Sequence, residues 1–232
     1  MTDILIFSGG APKLIFNQLL PEFERKHGHK VTFVFAVTKV LSDRLAAGEK
    51  PDVLVLPTNI LDGLQKDGVA RAEHRAVFGL VRINVVVRKG AAKPDLSTTE
   101  KVKQAMLASR KLAMAPPGMT PSGTHMGKLI EKLGLADALK SKLIHRPALE
   151  GGVELVEGGE ADLGFYPKSE VIGFKGLDIV GPLPADIQLT TIYGGAVSTM
   201  TKAPEAGAAF INYMNDPAHR AVWTAGGFDP PA

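Results

Sequence analysis

Residues 4–20 read ILIFSGGAPKLIFNQLL, and the fold follows from how this stretch is parsed. Ile4 to Phe7 is a continuous apolar run of the kind that forms a strand covered on both faces. Ser8, Gly9 and Gly10 then interrupt it, and Pro12 to Lys26 continues as a helix, with Leu14, Ile15, Gln18, Leu19 and Phe23 close to helical spacing and Pro21 as an expected kink. A strand that passes through glycines directly into a helix is the opening unit of an alternating α/β lobe.

The alternation continues. KVTFVFAV (30–37) and PDVLVLP (51–57) are expected strands, and residues 40–48 and 60–67 the intervening helices, the last closed by Gly68. This β-α-β-α-β-α order predicts a doubly wound lobe. The pattern then changes to a long expected strand over 81–90 and a helix capped by Ser97 or Thr98. A strand follows over 111–117, then a helix entered through GMTPSG. Further strands are expected over 161–167, 177–184 and 187–199, with helices over 151–158, 204–214 and 217–225. The segments 81–90 and 187–199 read as paired crossings between two lobes. Residues 1–80 with 194–232 make the first lobe and 81–193 the second.

Composition narrows the function. The 232-residue chain is 45% hydrophobic and 22% charged with a formal net charge of +3, ordinary values for a soluble globular protein of one large domain or two lobes. Its basic residues are scattered, so no nucleic-acid partner is expected. There is no cysteine, hence no disulfide, thiolate metal site or cysteine nucleophile. No run reaches the ~18 apolar residues of a membrane span. Without a basic, apolar and small-residue leader the chain reads as cytoplasmic as it stands, or as periplasmic if Met1 replaces a removed leader. The histidines, including the close pair His27 and His29, lack metal-ligand spacing. No phosphate loop or nucleophile elbow occurs, and no cofactor is implied.

Four strand-to-helix junctions remain: Ser8-Gly9-Gly10-Ala11, Ala36-Val37-Thr38-Lys39, the turn from Gly118 through Thr120 and Ser122 to Gly123, and Glu150-Gly151-Gly152-Val153. Helix starts expose N–H donors and a partial positive charge, and so suit anions. Taken singly, a Ser or Thr there is an ordinary cap. Their recurrence, two per expected lobe and all after strands, predicts a small anionic ligand held at strand C-terminal ends. Ser8, Thr38, Thr120 and Ser122 are the candidate hydroxyl donors. Gly9, Gly10, Gly152 and Val153 are the candidate backbone donors, with Lys39 and Tyr166 behind them.

The chain resembles the type II periplasmic solute-binding proteins, and most closely their molybdate-binding branch. The resemblance rests on LLPEFERKHGHKV, LAAGEKPDVLVLP, GMTPSGTHMGKLIEKLG, GGVELVEGGEADLGFYPKSEV, GPLPADIQLTTIYGGAV and PEAGAAFINYMNDPAHRAVWTAGGFDP, in that order over nearly the whole length. It implies an α/β fold of two lobes closing over a ligand, and an ABC-transporter membrane subunit as a possible partner. The molybdate branch keeps a hydroxyl where Ser8 stands. Its serine-rich turn reads FAVTKV here, and its strand tyrosine corresponds best to Pro167, with Tyr166 one position early. These departures, with Lys39, suit a carboxylate-bearing ligand. Some proteins resembling this family are isomerases that shift the double bond of aconitate. On that alternative His125, Lys39 and Tyr166 are the candidate acid–base residues, with Glu150 behind them.

Overall fold

The computed structural model describes residues 2–231. The chain falls into two compact units, Met1–Val81 with Thr191–Ala232, and Arg82–Thr190. Along the chain β1 (Asp3–Ser8), α1 (Lys13–His27), β2 (Lys30–Phe35), α2 (Thr38–Ala46), β3 (Val53–Pro57) and α3 (Thr58–Lys66) alternate, and β4 (Ala70–Arg88) follows. The second unit continues with α4 (Thr99–Ala108), β5 (Leu112–Met114), α5 (Pro121–Lys132), α6 (Ala136–Leu139), β6 (Leu143–His145) and a 3-10 turn at Ala148–Glu150. Then come α7 (Glu154–Glu157), β7 (Leu163–Pro167), α8 (Lys168–Val171) and β8 (Leu177–Pro182). The chain re-enters the first unit through β9 (Thr190–Ser198), α9 (Pro204–Met214) and α10 (Arg220–Ala225).

In the first unit the strands lie in the order β2-β1-β3-β9-β4. β1 runs parallel to both β2 and β3, and β9 is antiparallel to β3. In the second unit β4 has β8 on one side and β7-β5-β6 on the other. There β5 is parallel to β6 and β7.

α1 shows why the first unit holds. Ile15, Phe16, Leu19 and Phe23 recur at helical spacing and are buried. The Phe16 ring stacks on Phe33 at 5.3 Å and meets Phe210 and Trp223 edge-on at 5.6 and 5.9 Å. One side chain thus joins β2, α9 and α10. The helix stays continuous through Pro21, which is exposed, and ends at Gly28, whose φ of 68° is the left-handed geometry glycine accepts best. In the second unit Val85, Met106, Met114, Met126, Ile130 and Phe165 form the centre of the core.

The structure corrects several sequence expectations. β4 begins at Ala70, eleven residues before the expected start at 81. Its first half, ARAEHRAVFGL, carries Arg71, Glu73 and Arg75 on exposed or half-exposed positions and so lacks an apolar signature. The strand expected over 111–117 ends at Met114, since Pro116 and Pro117 have no N–H for a ladder. The helix expected over 151–158 shortens to α7, Glu154–Glu157, because Gly151 takes a φ of 87° and closes the preceding 3-10 turn instead of starting a helix. Two further elements, α6 and β6, fill the stretch 136–145, where the sequence pattern suggests none.

Replacing Phe16 by Ala is expected to cost about 3–5 kcal/mol, the usual range for emptying an aromatic core position. Thermal unfolding of the variant would show it as a melting temperature lowered by many degrees.

Candidate functional site

Register decides where the first two junctions lie. Ser8 pairs with Phe35 of β2 and with Val55 of β3, so the turns leaving these parallel strands open at one edge of the sheet. The Ala36 N–H donates to the Ser8 carbonyl at 3.2 Å, and the Gly9 N–H to the Val55 carbonyl at 3.0 Å. Ser8 is fully buried, and its hydroxyl donates to the Gly9 carbonyl at 2.9 Å. Gly10 accepts from the Lys13 N–H at 3.1 Å. The N–H groups of Gly10 and Ala11 meet no acceptor among the described residues, and no side chain caps α1. The open donors are therefore those of Gly10 and Ala11, while the Gly9 N–H is committed to the sheet.

Thr38 stands in the first turn of α2 and is largely buried, again with no side-chain cap on the helix. Lys39 is turned elsewhere: its ammonium pairs with Asp43 one helical turn on, at 2.6 Å to Oδ2, with both side chains more than half exposed. Two features of this edge escaped the sequence reading. α3 starts here as a third junction, since Pro57 ends β3 and Thr58 follows at once. Tyr193 of β9, opposite Pro57, lays its ring over the first turn, and a Cβ on Gly9 would come within 3.1 Å of its hydroxyl. A Cβ at position 9 would require the Tyr193 ring to give way by a few tenths of an ångström. An aromatic directly before a glycine pair, YGG, was the available cue.

The second unit repeats the arrangement. Met114 of β5 pairs with His145 of β6 and Phe165 of β7, all parallel, so the turns after these strands share an edge. Thr120 caps α5, its Oγ1 accepting from the Gly123 N–H at 3.0 Å and lying 3.2 Å from Ser122 Oγ. Ser122 is buried. Gly123 presses against the Ala115 and Pro116 carbonyls too closely to admit a Cβ. His125 Nε2 lies 2.8 Å from the Ile187 carbonyl. A carbonyl can only accept, so that nitrogen carries the proton and His125 ties α5 to the segment before β9.

Gly152 is hemmed in by the Tyr166 hydroxyl and the Arg146 and Pro147 carbonyls, and its N–H donates to Pro147 at 3.0 Å. Val153 is fully buried. Tyr166 is also fully buried and donates its hydroxyl to the Arg146 carbonyl at 3.0 Å, which braces the 146–152 turn. Burial raises its phenol well above the ordinary range, with the Glu170 and Glu154 carboxylates adding to this and Arg146 opposing it. Glu170, half-buried on α8, makes no hydrogen bond or ion pair among the described residues, and burial pushes its carboxyl up to about 7. The adjacent Ser169 hydroxyl is buried without a partner.

The structure thus gathers Ser8, Gly9, Gly10 and Thr38 at one edge, and Thr120, Ser122, Gly152, Val153 and Tyr166 at another. Lys39, His125 and Tyr166, the candidate acid–base residues, are engaged with Asp43, Ile187 and Arg146. Arg146 and Glu170 were missed, because an unpaired side chain is a fact of packing and leaves no mark on sequence pattern.

The family model of bacterial extracellular solute-binding proteins matches residues 4–229. The chain belongs to that family. It is 29% identical over 220 residues to an aconitate isomerase from Pseudomonas sp, covering 92% of this chain and 82% of the relative. To the molybdate-binding protein of Escherichia coli it is 25% identical over 228 residues, covering 97% and 88%. The structure of the Azotobacter vinelandii periplasmic molybdate-binding protein superimposes with a TM-score of 0.81 at 20% identity, covering 99% of this chain and all of that one. The fold is that of the two-lobed periplasmic binding proteins.

Glu170 gives the fold a pH dependence of known sign. Its folded-state value near 7 lies above the ordinary 4.5, so its stabilising contribution is complete below about pH 4.5 and lost as pH rises through 7. Glu170→Gln is neutral throughout. The variant should match the parent near pH 4.5 and exceed it by about 1–2 kcal/mol at pH 8, discounted for partial exposure and read as a melting temperature a few degrees higher. Equal melting curves at pH 8 would contradict this.

Proposed function

We propose that this family member binds a small anion, an oxyanion or an organic carboxylate, as the solute-binding component of an ABC-type importer. The observation that carries the reading is the convergence of junctions set out above. Each unit gathers helix starts rich in N–H and hydroxyl donors at the C-terminal edge of its parallel strands, and in the first unit Gly10 and Ala11 keep unpaired N–H groups. Hydrogen bonds to a charged group contribute ~1.5–3 kcal/mol each. About six of them offset an association cost of ~4–15 kcal/mol and leave micromolar or tighter binding without a metal. The molybdate-binding relatives support the oxyanion class.

The 29% identity to an aconitate isomerase supports a second reading, isomerisation of an unsaturated polycarboxylate. Such a shift needs a group that removes a proton beside a carboxylate and returns one to the far carbon of the double bond. The engaged states of His125 and Tyr166 make them struts on this reading.

A thermal-shift screen against molybdate, tungstate, sulfate, phosphate, citrate and both aconitate isomers tests the proposal. An anion at one hundred times its Kd should add ~2.7 kcal/mol of stability. Thr120→Ala and Ser122→Ala should each weaken the responding anion about tenfold or more, as expected for one lost donor to a charge. Unchanged affinity in both would sink the donor-edge reading. NMR of a bound polycarboxylate over hours separates the two functions, since a binder returns the ligand unaltered and an isomerase returns a mixture.

A further inference from the structure

The second unit carries a cavity at the end of its sheet away from Thr120 and Ser122. Leu112 and Leu163, which begin β5 and β7, pair with each other, and Arg88 ends β4 two residues beyond the pairing of Val86 with Gly164. The cavity lies at this end of the strands, has a volume of about 530 Å³, and has Arg88, Lys93, Arg110 and Asp162 in its lining. Pro94, Ala105, Ala108 and Leu163 supply apolar wall. That volume falls within the ~300–1,000 Å³ of small-molecule sites and is more room than a bare oxyanion fills.

The charged groups are not equivalent. Arg110 is committed to Asp162, its Nη2 lying 2.6 Å from Oδ1 and its backbone N–H donating to Oδ2 at 2.6 Å. Lys93 stands 3.7 Å from Asp178 in a loose, exposed pair, and that carboxylate also accepts from the Gly90 N–H at 3.1 Å. Arg88 makes no side-chain hydrogen bond or ion pair among the described residues. Its Nη1 lies 3.3 Å from the place a Cβ on Gly159 would occupy, so the guanidinium rests beside a residue that leaves it room. Carbonyls at the end of α4 would repel an anion, but they are occupied here. Ala105 accepts from the Ser109 N–H and hydroxyl at 3.1 and 2.8 Å, and Leu107 from Lys142 Nζ at 2.6 Å.

The lining thus sets three cations against one carboxylate that is already paired, and leaves one guanidinium open. A guanidinium offers a rigid fork of N–H donors that matches a carboxylate at two points. We propose that this cavity is a second ligand site, which takes an organic carboxylate with an apolar body. The carboxylate pairs with Arg88, and the body covers Ala105, Ala108 and Leu163. None of Ser8, Thr38, Thr120 or Ser122 lines the cavity, so the inference stands apart from the anion reading of the donor edges.

Amide NMR of the whole nitrogen-labelled chain, titrated with benzoate, hexanoate, benzamide and inorganic phosphate, tests this. The two carboxylates are expected to shift the amides of Arg88, Ala91, Ala108 and Gly159, with a Kd of about 1 mM or below. Benzamide keeps the shape without the charge, and phosphate the charge without the apolar body. Each should bind there at least about tenfold more weakly. Arg88→Met, which keeps an apolar stem at an exposed position, should weaken both carboxylates about tenfold or more. Ala108→Phe, at an exposed position of α4, should weaken them by filling the cavity while the charges stay. Benzamide or phosphate binding as tightly as benzoate would overturn the ligand class. Unchanged affinity in Arg88→Met, or no shift at these amides with either carboxylate, would overturn the site. Shifts confined to the surroundings of Thr120 and Ser122 would do the same and leave the anion reading intact.

Discussion

The pairing of Ser8 with Phe35 on one side and Val55 on the other is the constraint on which the first unit's chemistry depends. Parallel strands in register must release their chains at the same edge, and each chain then turns back as a helix over one face. Three helix starts are therefore brought together without any one of them encoding a site. The second unit repeats the device around Met114, paired with His145 and Phe165. Donor density at an edge is a product of strand register, and each hydroxyl or N–H inherits its place from it.

Close approach of backbone and side chain refines those edges. Gly9 lies under Tyr193, Gly123 against the Ala115 and Pro116 carbonyls, and Gly152 against the Tyr166 hydroxyl. At Gly123 and Gly152 a side chain would meet backbone carbonyls and push the turn out of its position, while at Gly9 it would displace the Tyr193 ring by a few tenths of an ångström. The buried Tyr166 donates its hydroxyl to the Arg146 carbonyl and so shapes the turn. His125 does likewise for the segment that leads into β9. Arg146 and Glu170, whose side chains carry no partner among the described residues, lie in a loop and on a four-residue helix that sequence pattern passes over.

Much of the fold was legible in advance. The apolar run Ile4–Phe7, the alternating strands and helices through residue 66, and the amphipathic face of α1 follow from periods of two and 3.6 and from glycine and proline punctuation. Where the reading failed, the local cue was weak or misleading. The first half of β4 is a charged, half-exposed strand, and the 151–158 stretch turns at a left-handed Gly151 before its helix can form. Of the candidate site residues, sequence located the junctions but could not assign their bonds. Gly9 and Gly152 looked like open donors and are satisfied within the protein, whereas Gly10 and Ala11 keep open N–H groups.

By itself the sequence determined the α/β class, the four donor-rich junctions and the resemblance to solute-binding proteins, because these depend on residue type and spacing along a single chain. Only the tertiary structure decided which donors are spent, that Lys39 belongs to Asp43, that Tyr193 covers Gly9, and that Glu170 is left unpaired with its carboxyl raised toward neutrality. The physical reason is that hydrogen-bond satisfaction and desolvation are set by neighbours distant in sequence, and no local pattern records them.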